Sequence, residues 1–139
     1  MKRTAYMITA LAVLLVMAIV PAYAQPASAK VNIPFAFTVD DVRMPAGEYL
    51  ITSPSEKVIS IQRVGGPEVK ATITNNGGAV KWNGHPKLVF RRYGSLYFVT
   101  TAWMPNADHG HEFFTSAAEI EVARNTTQQT VELAMNVAK

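Results

Sequence analysis

The sequence predicts an all-β fold, mainly antiparallel, as a single small barrel or sandwich of about seven to eight strands. Three observations carry that expectation. "VNIPFAFTV" (Val31–Val39) alternates apolar and other residues at period two, the pattern of a strand with one buried face. Glycine, proline and asparagine clusters cut the chain into short apolar segments at intervals of roughly 8–12 residues. The last segment, Thr130–Val137, alternates again, with Val131, Leu133, Met135 and Val137 assigned to one face.

Taken in order, Val31, Ile33, Phe35, Phe37 and Val39 form the buried side of the first strand. Phe35 and Phe37 are therefore expected inside and Thr38 outside. Pro34 has no N–H to give a ladder, so this strand should lie at an edge or begin outside the ladder. Asp40–Asp41 turn the chain. Pro45-Ala46-Gly47 has the form of a type II turn with Gly47 at positive φ, and Glu48–Thr52 resumes as a strand. Val58–Val64 and Val69–Thr74 are strands separated by Gly65-Gly66-Pro67. "NNGG" (Asn75–Gly78) reads as a turn, followed by a short strand at Ala79–Trp82 that Asn83-Gly84 closes. Lys87–Arg92 and Leu96–Trp103 flank "YGS" as a hairpin. Ser116 and Glu119 have capping-box spacing, which predicts a short helix over Ala117–Arg124, although Glu119–Val122 also alternates like a strand.

The N-terminus reads as an export signal. Lys2 and Arg3 precede an apolar run, Ile8–Val20, broken only by Thr9, and "AYA" (Ala22–Ala24) offers a processing site. Cleavage after Ala24 leaves Gln25 first, with "ASA" (Ala27–Ala29) as a second possible site. An uncleaved anchor is the alternative, but the run is shorter than the roughly 20 residues that span a bilayer. Residues 1–24 are thus read as a signal peptide, 25–30 as a flexible lead-in and 31–139 as one β-rich domain, periplasmic or secreted. There is no cysteine, so the domain must hold itself together by packing and offers no site for a lipid anchor. The chain carries 13 basic and 10 acidic residues. Removing Lys2 and Arg3 leaves a net charge near +1 and no basic cluster, which argues against nucleic acid and against an anionic membrane as partners.

"VNIPFAFTV" followed by "MPAGEYLI", then "KLVFRRYGSLYFV" and a Trp-x-Pro step at Trp103–Pro105, resembles a family of small exported bacterial proteins with no assigned activity. The resemblance covers most of the chain after residue 24. It implies export and a single β-rich domain, and it brings no catalytic residues with it.

Two stretches compete as sites. "DHGHE" holds Asp108, His109, His111 and Glu112 in a chain with three histidines. On a strand, the two histidines would share a face as metal ligands must, while Glu112 would point away. A catalytic zinc needs a third protein ligand, which would have to come from Asp108, Glu119 or the remote His85. The favoured reading is a solvated surface loop, removable without cost to stability. In "FRRY", strand alternation puts Arg92 on the core side with Leu88 and Phe90, and Arg91 outward. Arg92 then either reaches solvent at the strand end, pairs with Glu48 or Glu119, or meets an anion in a barrel mouth. Trp82 and Trp103, with Tyr93 and Tyr97, could line a ligand face, although strand aromatics more often pack. No serine elbow, phosphate loop or dinucleotide fingerprint is present, and no cofactor is expected. These readings favour an exported, non-catalytic β-domain that binds an unknown protein or small ligand, or serves in the envelope. The alternatives are a metal-binding protein or metal-dependent enzyme using Asp108–Glu112, and a small-ligand carrier barrel.

Overall fold

Pro34 divides the first alternating stretch instead of merely placing it at an edge. A computed structural model describes residues 25–77, 84–105 and 107–138. In it, β1 (Ala27–Ile33) ends just before Pro34, and β2 (Phe37–Val39) begins three residues later. The split preserves the expected faces: Val31, Ile33, Phe37 and Val39 are buried. Phe35, in the gap, is only partly buried, a correction to its expected equivalence with Phe37. Asp40, at φ 60°, turns β2 into β3 (Val42–Met44). Ala27–Lys30, read as a flexible lead-in, instead belong to β1 and pair with β4.

β4 (Gly47–Ser55), β5 (Val58–Arg63) and β6 (Val69–Gly77) follow as an antiparallel meander. Gly47 does have positive φ, at 158°, but as the first residue of β4 and not inside a type II turn. The "NNGG" turn is overturned for its first three residues. Asn75, Asn76 and Gly77 continue β6 because β9 (Gly110–Phe113) supplies a partner strand. The expected strand at Ala79–Trp82 and the export signal at residues 1–24 lie outside the described residues.

β7 (Lys87–Tyr93) and β8 (Leu96–Trp103) form the expected hairpin. A bulge sets the extra residue Thr100 between the Val89–Thr101 and Phe90–Val99 pairs. Helix α1 (Ala117–Ala123) has Ser116 as its N-cap, its side chain accepting from the Glu119 N–H, as the capping box requires. The C-terminal segment divides at Met135. β10 (Gln128–Ala134) pairs β7, and β11 (Asn136–Val137) pairs β1. Val131 and Leu133 pack on the core and Met135 is buried, but Val137 is 58% exposed, so the expected four-residue face stops one residue short.

The all-β expectation holds. Among the described residues eleven strands form one sheet, nine of them in the order β10-β7-β8-β9-β6-β5-β4-β1-β11 with β2 and β3 off that path, more than the expected seven or eight because several have only two to four residues. The sheet is mixed, since β2 pairs β8 in parallel through Thr38 and Phe98. Its two end strands are successive pieces of the same C-terminal segment, one on β7 and the other on β1. The inner faces enclose a single apolar cluster. Phe37 sits at its centre, edge-on to Tyr49 and Phe90 at 5.1 and 5.7 Å, in the arrangement that aromatic quadrupoles favour. Among the described residues, no helix is long and apolar enough to cross a membrane.

Candidate functional site: a cleft floored by His111

The reading of Asp108–Glu112 as a solvated loop holds for Asp108 and His109, which lie in a bend, and is corrected for Gly110–Glu112 by β9. Gly110–Phe113 pair with β6 and, through Glu112 and His111, with β8. Alternation then sends His111 and Phe113 inward and Glu112 outward. His111 is 3% exposed, while Glu112 is exposed. Gly110 is required by packing, because a Cβ there would lie 2.8 Å from Thr101 Cγ2 and 3.0 Å from Trp103 Cε2.

Both ring nitrogens of His111 are engaged. Nδ1 lies 3.0 Å from Thr74 Oγ1 on β6, and Nε2 lies 3.2 Å from Ser53 Oγ on β4. The direction of these bonds follows from counting protons. Ser53 Oγ donates its single hydrogen to the Ser55 carbonyl at 3.0 Å, so toward His111 it can only accept. Nε2 is then the protonated nitrogen, and Nδ1 accepts from the hydroxyl of Thr74, which is fully buried. The opposite direction would leave the buried Thr74 O–H without an acceptor among the described residues, at a cost of about 1–3 kcal/mol. Burial, reinforced by neighbouring His109, holds the His111 pKa below its ordinary value of 6.5, so the ring is neutral at pH 7. The chain Thr74→His111→Ser53→Ser55 ties β9 to β6 and β4. In this assignment Nε2 donates to Ser53, the reverse of a Ser–His nucleophile, in which Nε2 accepts the serine proton.

Above this floor lies a cleft of about 400 Å³ between the start of β1, the end of β4, and residues 104–105 and 107–109. A register shift between Thr52 and Ser55 interrupts the β4–β5 ladder and turns Ser53 into it. Pro26, Pro54, Met104, Pro105 and Ala107 make apolar walls, and Glu56, Asp108 and His109 bring polar groups to the rim. Three of the four residues considered as metal ligands therefore meet at one place, with the His109 and His111 rings 6.0 Å apart. Glu112 lies on the other face of β9. Among the described residues, no group of three or more histidine and acidic side chains is close enough to hold a metal ion, and coordination by His111 would require giving up one of its two hydrogen bonds.

The other candidates are not brought together. Arg92 does share the inner side with Leu88 and Phe90, but it sits at the strand end. There its guanidinium lies 5.5 Å from the centre of the Tyr97 ring and Nε donates to the Gly94 carbonyl at 2.7 Å. Tyr97 in turn stacks on Phe35 at 3.7 Å. Trp103 lies at the opposite end of the hairpin, paired with Lys87 and packed over Gly110, about 17 Å along the strand from Arg92 at 3.4 Å per residue. Trp82 lies outside the described residues. Glu119 pairs with Arg91, not Arg92. Its buried carboxylate accepts from Arg91 Nη1 at 3.2 Å and from the Tyr93 hydroxyl at 3.1 Å, which fastens α1 to the outer side of β7. Burial raises the Tyr93 pKa, and the Glu119 carboxylate raises it further.

Sequence reasoning missed Ser53, Glu56, Thr74 and Met104. Hydroxyl residues on strands carry no distinguishing signal until strand order is known. No family model, curated protein or solved structure matches the chain.

Proposed function

We propose that the protein is an exported, non-catalytic binding domain that takes a small ligand in the cleft above His111. Export rests on Lys2, Arg3, the Ile8–Val20 run and the Ala22–Ala24 processing site. The observation that carries the binding reading is the cleft itself. Its volume of about 400 Å³ falls within the roughly 300–1,000 Å³ of small-molecule sites, and its lining sets apolar walls beside the polar groups of Ser53, Ser55, Glu56, Asp108, His109 and His111. The floor supports binding over catalysis, since His111 and Ser53 are committed to a closed hydrogen-bond chain.

Native mass spectrometry of the protein recovered from its own envelope or secreted fraction tests this reading. The expected result is a bound small molecule that is lost when Ala107→Tyr fills the cleft while the melting curve is retained. Absence of any adduct, or an adduct that survives Ala107→Tyr, contradicts it. Stoichiometric zinc as the adduct would favour the metal-binding alternative instead.

A further inference from the structure

β6 presents its side chains the wrong way round for a strand over an apolar core. Lys70 and Thr72 stand opposite the fully buried Ile61 and Ile59 of β5, and Asp40 covers them, accepting from Thr72 Oγ1 at 2.6 Å and lying 3.8 Å from Lys70 Nζ. The apolar residues Val69, Ala71 and Ile73 face outward, with Val69 56% and Ile73 65% exposed. Val58 pairs with Ile73 from the β5 side. Phe114, 52% exposed, joins Ile73 from the β9 side, and Val58, Ala71, Ile73 and Phe114 line, together with Asp40 and Thr72, a hollow of about 520 Å³. A contiguous apolar row across three strands is a surface built to be covered.

We infer that a second copy of this chain covers it, in a two-fold pair whose axis runs along β6. β5 and β9 flank β6 at one strand spacing each, about 4.8 Å. β5 pairs residues 69–73 of β6 and β9 pairs residues 74–77, so a two-fold axis along β6 brings the start of β5 at Val58 in one copy over Phe114, just past the end of β9, in the other, as an isologous interface requires. Ile73 meets Ile73, and Val58 meets Phe114 of the second copy, whose ring enters the hollow beside it. The charges match this arrangement. Lys57 is exposed in the turn before Val58, and Glu112 is exposed on β9 opposite Asn75; among the described residues neither has an ion-pair partner. The same rotation sets Lys57 of each copy against Glu112 of the other, twice per pair. An axis across the strands would stack β5 on β5 and make no such match.

Sedimentation velocity of the purified exported protein, over concentrations up to about 1 mM, a range that reaches weak association, tests the pair. The expected result is reversible dimerisation. Ile73→Asp should weaken it at least tenfold with an unchanged melting curve, because the site is exposed. Glu112→Lys should weaken it too, and adding Lys57→Glu to Glu112→Lys should restore it. A one-chain mass at every concentration, a dimer indifferent to Ile73→Asp, or a charge exchange that fails to restore pairing overturns the inference. So does Ile73-dependent binding to neutral lipid vesicles by a protein that stays monomeric, which would assign the face to a membrane.

Discussion

Truncating His111 should destabilise the domain, whereas truncating its neighbour His109 should not. His111→Ala removes a buried ring and two hydrogen bonds, and strands the hydroxyl of fully buried Thr74. The stranded hydroxyl costs about 1–3 kcal/mol, and the void adds to it. A total of about 2–4 kcal/mol is a large part of the roughly 5–15 kcal/mol that holds a domain together. For a domain of this size that lowers Tm by roughly 10 °C. His109→Ala, at the cleft rim, should stay within about 0.5 kcal/mol. The pH dependence has a definite sign. The His111 pKa is lowered in the folded state by burial and then by His109, so as pH falls the unfolded chain takes up the proton first. The stabilisation is complete above about pH 6.5, the unfolded value, and is lost as pH falls from there toward the lower folded-state pKa. Urea unfolding of wild type, His109→Ala, His111→Ala and the non-titrating His111→Gln at pH 5 to 8 is the assay. The stability advantage of wild type over His111→Gln should shrink below pH 6.5. Equal midpoints for all four proteins, or an advantage that grows with acidity, would refute the buried-strut account.

Three further outcomes follow from packing. Gly110→Ala should cost about 1–3 kcal/mol, because the new Cβ meets Thr101 and the Trp103 ring; an unchanged melting curve and unchanged tryptophan fluorescence would contradict that contact. Glu119→Gln keeps an acceptor for Tyr93 but loses the charge opposite Arg91. With Arg91 one-third exposed, the cost should be about 1 kcal/mol, read as faster hydrogen exchange across Ala117–Ala123; unaltered exchange there would remove the anchoring role. Phe37→Ala should cost about 3–5 kcal/mol and Phe35→Ala clearly less, since Phe37 is 1% exposed and Phe35 only partly buried; equal losses by calorimetry would show the faces misassigned.

Much of the strand framework was legible because alternation and turn residues are local signals. Leu96–Trp103 matches β8 end for end, and the Ser116–Glu119 capping box was right to outrank the alternation of Glu119–Val122. Failures came where a partner strand decided the outcome. Asn75-Asn76-Gly77 has turn chemistry, but pairing with β9 keeps those residues extended. Gly110–Phe113 is too short and too polar to read as a strand alone. The site was half legible for the same reason. Two histidines at spacing two would share a face if both were extended, but only His111 is held in β9 by β6 and β8, and His109 sits in the bend before it. Ser53 and Thr74 lie 58 and 37 residues from His111 in sequence, and only the order of strands brings them to it. The Arg91–Glu119 pair shows the converse: the carboxylate was considered, but the helix delivers it to the outer side of β7 and so to the other arginine.

The tautomer of His111 tests the central claim most directly, because a committed imidazole is what separates a cleft that binds from one that reacts. Long-range ¹H–¹⁵N correlation spectra of the imidazole nitrogens at pH 7 report it. The account predicts a neutral ring protonated at Nε2, with Nδ1 bare and accepting from Thr74, and the same tautomer in Ser53→Ala. A ring protonated at Nδ1, with Nε2 bare and facing the Ser53 hydroxyl, would contradict it and would make Ser53 a base-activated nucleophile.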